Sequence, residues 1–426
     1  MSHVPPLSPS PNALLYPGPD MTKPRPSRVS MTPSRRQFMG VSAAAIAAAA
    51  GERIAGAKRA PGAARSKAGQ TASRGARFAY LGTFTSEMRN ARGEGLSAYR
   101  IDPESGRWAR VQLLGREVNP SYLAVDPRRP VLYSVHSEAN QVSAFAISET
   151  TGELTLINRQ SCGGDNPVHL ALDATGRFLV VANYGSGSVA VFPVDADGSL
   201  GGRTDLVTLK GELGPHRTEQ SVPHPHHCAF DPAGRIVVVP DKGLDRLFAF
   251  RLDATKGVLV PADPPSVKTR SGAGPRHVAF NPRMPYAYVI NELDSTVAAY
   301  RFKESGALEP LQILPSIPAA FTGDNTGAAI DVAPSGRHVY VSNRGHDSVG
   351  IFRVEESTGL LSPVAWEPTK GATPRFIGLD PTGARLYAAN QRADTIVEFD
   401  VDAASGMLSA TGRIVVAGTP VCVVWR

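Results

Sequence analysis

The chain has 426 residues, with 45 Lys+Arg against 38 Asp+Glu and only three cysteines. Twelve of the basic and two of the acidic side chains lie at or before Arg77, leaving 33 basic and 36 acidic groups for the rest. The basic excess therefore belongs to the leader, which excludes a nucleic-acid surface on the remainder, and Cys162, Cys228 and Cys422 have neither the number nor the spacing for a disulfide framework or a zinc site.

Residues 1–77 are rich in Pro, Ser and Ala and show no strand alternation, so they are read as a non-structural leader. Within them Ser34-Arg35-Arg36-Gln37-Phe38-Met39-Gly40 precedes the apolar run Val41 to Ala50. Paired arginines before a short apolar stretch resemble a twin-arginine export signal, with Ala55-Gly56-Ala57 as a cleavage site. The run falls short of the roughly 20 residues that cross a bilayer, so no stable membrane span is expected. The expectation is export through the twin-arginine machinery to the periplasm or beyond.

From Phe78 to Arg426 the sequence repeats one unit, clearest in Gly274 to Phe302. A leading proline opens an apolar strand, a turn follows, then a second strand, a polar corner and a third strand. Inner strands of this kind begin at Pro120, Pro167, Pro225, Pro275, Gly327 and Pro374, about 50 residues apart, the length of a four-stranded blade. A seventh, Pro420 to Trp425, ends the chain without a second strand. Conversely, Phe78 to Thr83 and Leu96 to Ile101 look like second and third strands without a first. The fold class expected is all-β: a seven-bladed β-propeller of four-stranded antiparallel blades spanning 78–426, closed by the C-terminal strand pairing with the N-terminal ones. A β-helix, with much shorter repeats, fits less well.

Register sorts the polar residues. The position after the leading proline holds Ser121, Val168, His226, Arg276, Ala328, Arg375 and Val421, and should lie beside the axis at one rim. The next position holds Tyr122, His169, His227, His277, Ala329, Phe376 and Cys422; by strand alternation it should face between blades, its histidines structural. Cys228 and Cys422 on these strands are expected to be small buried hydrophobes. The corner after the second strand opens on the same rim. Its first residue is Asn in four blades (Asn183, Asn291, Asn343, Asn390), which suits turn capping. Its second varies: Phe84, Ser137, Tyr184, Lys242, Glu292, Arg344 and Gln391. His226, Arg276, Glu292 and Arg344 thus converge from three consecutive blades. They supply a group that titrates near neutrality, a carboxylate and two permanent cations suited to clamping an acidic substrate. No G-x-S-x-G elbow points to a serine nucleophile. His216, His224, His226 and His227 could be imagined as a metal cluster, but adjacent strand residues should face opposite sides, so no metal or other cofactor is expected.

The motifs YLGTFT, HPHHCAFDPAGR, PDKGLDR, GPRHVAFNP, INELDSTV, VSNRGHDSV and AANQRADTIVEF are similar to the lactonase family of seven-bladed propellers, which includes bacterial 6-phosphogluconolactonases and fungal carboxy-cis,cis-muconate lactonising enzymes. The resemblance covers Phe78 to Arg426. It implies hydrolysis of a sugar or sugar-acid lactone, a small-molecule substrate, no metal, and His226, Arg276, Glu292 and Arg344 as catalytic residues, with His226 or Glu292 as base. His224, Arg217, Gln220, Lys242, Asn183, Arg375 and Gln391 are the candidate substrate contacts. Two departures bear on the substrate: Arg217 and Gln220 are separated where family members often have adjacent Arg-Gln, and Lys242 stands where Leu is common. An exported copy would meet a lactone other than cytoplasmic 6-phosphogluconolactone. A muconate-lactonising enzyme and a non-catalytic envelope-binding propeller are the alternatives.

Overall fold

A computed structural model describes residues 76–426. The twin-arginine motif, its apolar run and the cleavage site lie outside the described residues. Seven four-stranded antiparallel sheets follow one another around an axis. Blade 1 combines Pro420–Trp425 with Phe78–Thr83, Leu96–Ile101 and Trp108–Leu114, in that order from the inside. Blades 2, 3 and 4 begin at Pro120–Val125, Pro167–Leu172 and Ala229–Phe230; blades 5, 6 and 7 at Pro275–Phe280, Thr326–Val332 and Pro374–Leu379. The expected closure is present: Tyr80 pairs with Val424 and Gly82 with Cys422. Apart from one 3-10 turn, Glu87–Arg89, there is no helix among the described residues, and so none long and apolar enough to cross a membrane.

The core is radial. Six buried apolar clusters each join neighbouring blades, and the one around Tyr80, Leu96 and Val423 joins blades 7, 1 and 2. The chain gains stability by adding seams of this size instead of enlarging one core. A polar lock repeats at four seams, where a second-strand tyrosine donates to a glycine carbonyl in the next blade: Tyr80 to Gly152, Tyr133 to Gly198, Tyr288 to Gly359 and Tyr340 to Gly406. Each such bond contributes about 1 kcal/mol. The three cysteines are free and buried, and burial pushes the thiols of Cys162 and Cys422 up to about 12.

Two expectations need correction. The inner strand of blade 4 was expected from Pro225 to Asp231, but only Ala229–Phe230 pairs as a strand. The Cys228 N–H donates instead to Nδ1 of His169 in blade 3, so the ladder is interrupted there. Strict alternation along the inner strands also fails. In blade 5 Pro275 pairs with Asn291 and His277 with Ile290, which leaves Arg276 as an extra residue. Ser121, Val168, Arg375 and Val421 are extra in the same way. A β-bulge at this point re-aims consecutive side chains, so the second position also reaches the axis. Tyr122, His277 and Phe376 line the same axial cavity as Ser121, Arg276 and Arg375.

Removing residues 420–426 should leave the Phe78–Thr83 edge unpaired. The expected outcome is loss of the cooperative thermal transition and aggregation, read by circular dichroism and light scattering; a full-length-like melt would show that closure is dispensable.

Candidate active site at the axial mouth

The bulges and corners bring two rings of side chains to one rim. Beneath the mouth, Tyr122, His169, His227 and His277 pack ring against ring around the axis, with centroids 4.0, 3.7 and 4.4 Å apart in turn. Tyr122 and His277, from blades 2 and 5, approach to 6.3 Å across the centre. The cavity above this plug measures about 10 Å³, about the space of one water. The axis is a floor, not a channel. Burial lowers the pKa of all three histidines, so the floor is neutral, and His169 has the structural role expected of it, accepting from the Cys228 N–H at 3.2 Å.

On this floor stands the quartet. Glu292 Oε2 lies 2.8 Å from Arg276 Nε and 3.2 Å from an Arg344 guanidinium nitrogen. Lys242 Nζ donates to Glu292 Oε1 at 3.2 Å and pairs with Glu219 at 2.6 Å. The two arginine contacts are ion pairs by distance but are not aligned as hydrogen bonds, since Arg276 Nε has no aligned acceptor. Both arginines are oriented by backbone: Arg276 donates to the Ala328 carbonyl and Arg344 to that of Gly327. Position 327 must be glycine because a Cβ there would collide with the Asn291 carbonyl at the neighbouring corner.

Electrostatics assigns distinct states to these groups. Burial opposes ionisation of Glu292, but Arg344, Lys242 and Arg276 together hold its carboxyl well below the usual range. Burial and then Arg276 hold His226 well below 6.5, so its imidazole is neutral, and its Nδ1 is buried without a hydrogen-bond partner among the described residues. Burial lowers Arg276 to about 10, which leaves it a cation at neutral pH. Arg375 lies half-buried over the Phe84 ring, 5.1 Å from its centroid. Burial and then Arg276, Arg344 and Arg89 depress its pKa, and no carboxylate pairs with it among the described residues. Four cations (Lys242, Arg276, Arg344, Arg375) thus face two carboxylates, Glu292 and Glu219.

The remaining candidates divide. Lys242 and Arg375 join the cluster. His224 sits at its edge, its ring stacked 4.1 Å from Tyr184 and its Nδ1 donating to the Tyr184 carbonyl. Asn183 does not join: it is buried in its turn, donating to the Cys162 carbonyl and Ser188, a cap like Asn291, Asn343 and Asn390. Gln220 is a buried strut that donates to the Lys242 carbonyl and accepts from the His216 N–H. Arg217 is exposed on the same loop, and Gln391 stands partly exposed at its corner. Sequence reasoning missed Glu219, which neutralises Lys242 from an irregular loop that no repeat register reaches. The argument against a metal from opposite-facing histidines also fails at the bulge; among the described residues no three His, Cys, Asp or Glu side chains are grouped to hold an ion.

Comparison with known proteins agrees with this architecture. Residues 78–425 match the family described as Lactonase, 7-bladed beta-propeller. The chain is 38% identical over 299 residues to a 6-phosphogluconolactonase of Bacillus subtilis, covering 70% of this chain and 83% of that one. A 6-phosphogluconolactonase of Formosa agariphila is 34% identical over 312 residues, covering 71% and 86%. Among solved structures, a periplasmic gluconolactonase of Pseudomonas aeruginosa superposes with a TM-score of 0.74 at 30% identity, covering 82% of this chain and 98% of that one.

Because Glu292 is depressed in the folded state, its contribution to stability is complete above its ordinary value of 4.5 and is lost only as pH falls through the folded value. Glu292→Gln should cost on the order of 3–5 kcal/mol near neutrality by leaving Arg276 and Arg344 without a carboxylate, while Lys242 keeps Glu219. The gap between the two melting curves should narrow below pH 4.5; a gap independent of pH would contradict the ion-pair account.

Proposed function

Because the chain belongs to the seven-bladed β-propeller lactonase family, we propose that its axial mouth opens a sugar or sugar-acid lactone by adding water at the ring carbonyl. The protein is a lactonase, a hydrolase of sugar lactones. The observation that carries the placement is the meeting of His226, Arg276, Glu292 and Arg344 on one rim beside an unpaired Arg375. Arg375 and the surplus of positive charge favour a lactone bearing a phosphate or carboxylate.

Roles follow from protonation state. Glu292 is committed as the counter-ion of Lys242, Arg276 and Arg344 and fixes the two arginines in place, which leaves His226 as the group not engaged in an ion pair. Neutral His226, with Nδ1 free, is the base. It takes a proton from water as the water oxygen attacks the lactone carbonyl. The arginines stabilise the oxyanion of the tetrahedral intermediate. Collapse breaks the bond to the ring oxygen, which leaves as an alkoxide and recovers the proton from His226. The product is the open-chain hydroxy acid. Twin-arginine export would place this chemistry outside the cytoplasm, a reading supported by the Arg35-Arg36 motif and by the periplasmic relative.

In a panel of phosphorylated, carboxylated and neutral sugar lactones assayed by acid release, His226→Ala should lower kcat by about 10²–10⁴-fold. Full rate in that variant, or no turnover of any lactone, would end the assignment. Since His226 must be neutral to act and its pKa is depressed, wild-type kcat/KM should hold as pH falls below 6.5; an acid limb at 6.5 would exclude His226 as base. For export, Arg35→Lys with Arg36→Lys should retain the protein in the cytoplasm, and unchanged secretion would refute the signal.

A further inference from the structure

One glycine contact recurs at six of the seven blade seams and is replaced at the seventh. At each of the six, the positive-φ glycine in the hairpin between the third and fourth strands sits against the first blade-facing residue of the preceding blade's second strand: Gly152 on Phe78, Gly198 on Val131, Gly257 on Phe178, Gly306 on Ile236, Gly359 on Tyr286 and Gly406 on His338. At the seam from blade 7 to blade 1, Gly106 faces Arg413, and Arg385, which holds the Phe78 position, turns to Glu398 and Asp400. The tyrosine lock is missing too. Tyr387 occupies the register of Tyr80 and Tyr340, yet its hydroxyl reaches no carbonyl of Gly106 and lies beside Glu398.

Glu398 is the central departure. It is 4% exposed on a third strand, where the other blades place Ala98, Ala144, Val191, Ala249, Ala299 and Ile351. Arg413 Nε donates to its Oε1 at 2.9 Å, and Arg385 Nε lies 3.2 Å from the same oxygen, so these ion pairs leave Oε2 outside them. Two cavities of about 670 and 690 Å³ open on either side, sharing Tyr387, Glu398 and Arg413. Four aromatic rings cross the seam in a chain: Tyr99 to Trp108 at 5.6 Å, Trp108 to Tyr387 at 5.4 Å and Tyr387 to Trp425 at 5.1 Å. The indole Nε1 atoms of Trp108 and Trp425 are buried with no partner among the described residues. Buried indole N–H groups are ordinarily bonded, so this pair calls for an acceptor. The 670 Å³ cavity is lined by four arginines and four carboxylates and is neutral overall, and the 690 Å³ one has three arginines against two carboxylates, so neither has the cationic excess of the axial mouth.

We infer that the seam between blades 7 and 1 is a second binding site, for a neutral saccharide. Aromatic faces suit the apolar faces of a pyranose, while two free indole donors, a carboxylate oxygen and two guanidinium groups suit its hydroxyls. The balanced charge disfavours a phosphorylated or carboxylated sugar. The hairpin at 102–107, the start of Phe78–Thr83 and Asp380 lie at the ends of the strands away from the corners, so the site opens toward the rim opposite the quartet and is independent of the lactonase reading.

The test uses the full chain titrated with glucose, maltose and cellobiose, following tryptophan emission and saturation-transfer NMR. Glu398→Ala restores the residue type of four other blades, which supports its folding; Arg413→Gln, at a half-exposed side chain, is the second variant. A saturable response to at least one sugar, weakened at least about tenfold in either variant with lactone kcat/KM unchanged, is expected. No saturable response, equal binding in both variants, or tighter binding of glucose 6-phosphate or gluconate than of the neutral sugars would overturn the proposal.

Discussion

One backbone irregularity governs the functional end of this molecule: the extra residue that follows the first residue of the inner strand. In a regular strand only alternate side chains would face the axis. The bulge aims two consecutive ones there, so blades 2, 5 and 7 each line the axial cavity from adjacent positions. His277 closes the floor while Arg276, its neighbour in sequence, stands above it within 2.8 Å of Glu292. The same device puts Tyr122 under Ser121 and Phe376 beside Arg375. Without it the axis would be either an open channel or a fully apolar plug, and the quartet would have no floor to exclude water from beneath.

Upon that floor the dominant effect is charge in a poorly hydrated site. Burial alone would neutralise Glu292, yet three cations within 3.2 Å reverse the outcome, and the cations in turn depend on it. The arrangement is stable only as a set. It also stays incomplete, because Arg375 adds a fourth cation that its arginine neighbours disfavour. A bound anion would relieve this repulsion, which ties the proposed recognition of an acidic substituent to the electrostatics of the rim. Among these groups the field keeps one uncharged, His226.

Much of this was legible in the sequence because repetition acts as an internal alignment. Equivalent positions could be read across blades, which located Glu292 and Arg344 at one rim from corners 52 residues apart in number. The closure by Pro420–Trp425 followed from counting unpaired strands. What repetition could not show lies where the repeat is broken. The bulge is invisible to a period-two pattern, so His277 was assigned to the wrong face. The segment from Leu209 to Pro225 belongs to no blade, and there Arg217 was expected near the substrate while Glu219, which pairs with Lys242, was not. Asn183 shows the opposite error: its register predicted a cap, and a cap it is, although its position on the rim also suggested contact with substrate.

The same logic extends from reading the fold to finding function. When seven copies of a unit solve one packing problem, six agreeing solutions define what packing requires. A seventh that departs from them is under another constraint. Glu398 meets no packing need, since alanine serves in four equivalent places, and burying a carboxylate with two arginines is seldom a gain over an apolar residue. Tyr387 gives up a lock that the other four tyrosines of this register keep, at about 1 kcal/mol, although Val180 and Val238 make none in blades 3 and 4. This seam lies beside the blade that closes the ring, in which Pro420–Trp425 pairs with Phe78–Thr83. That a propeller should bury a carboxylate with two arginines between cavities of about 670 and 690 Å³ is explained if the space between blades 7 and 1 is itself selected for occupancy.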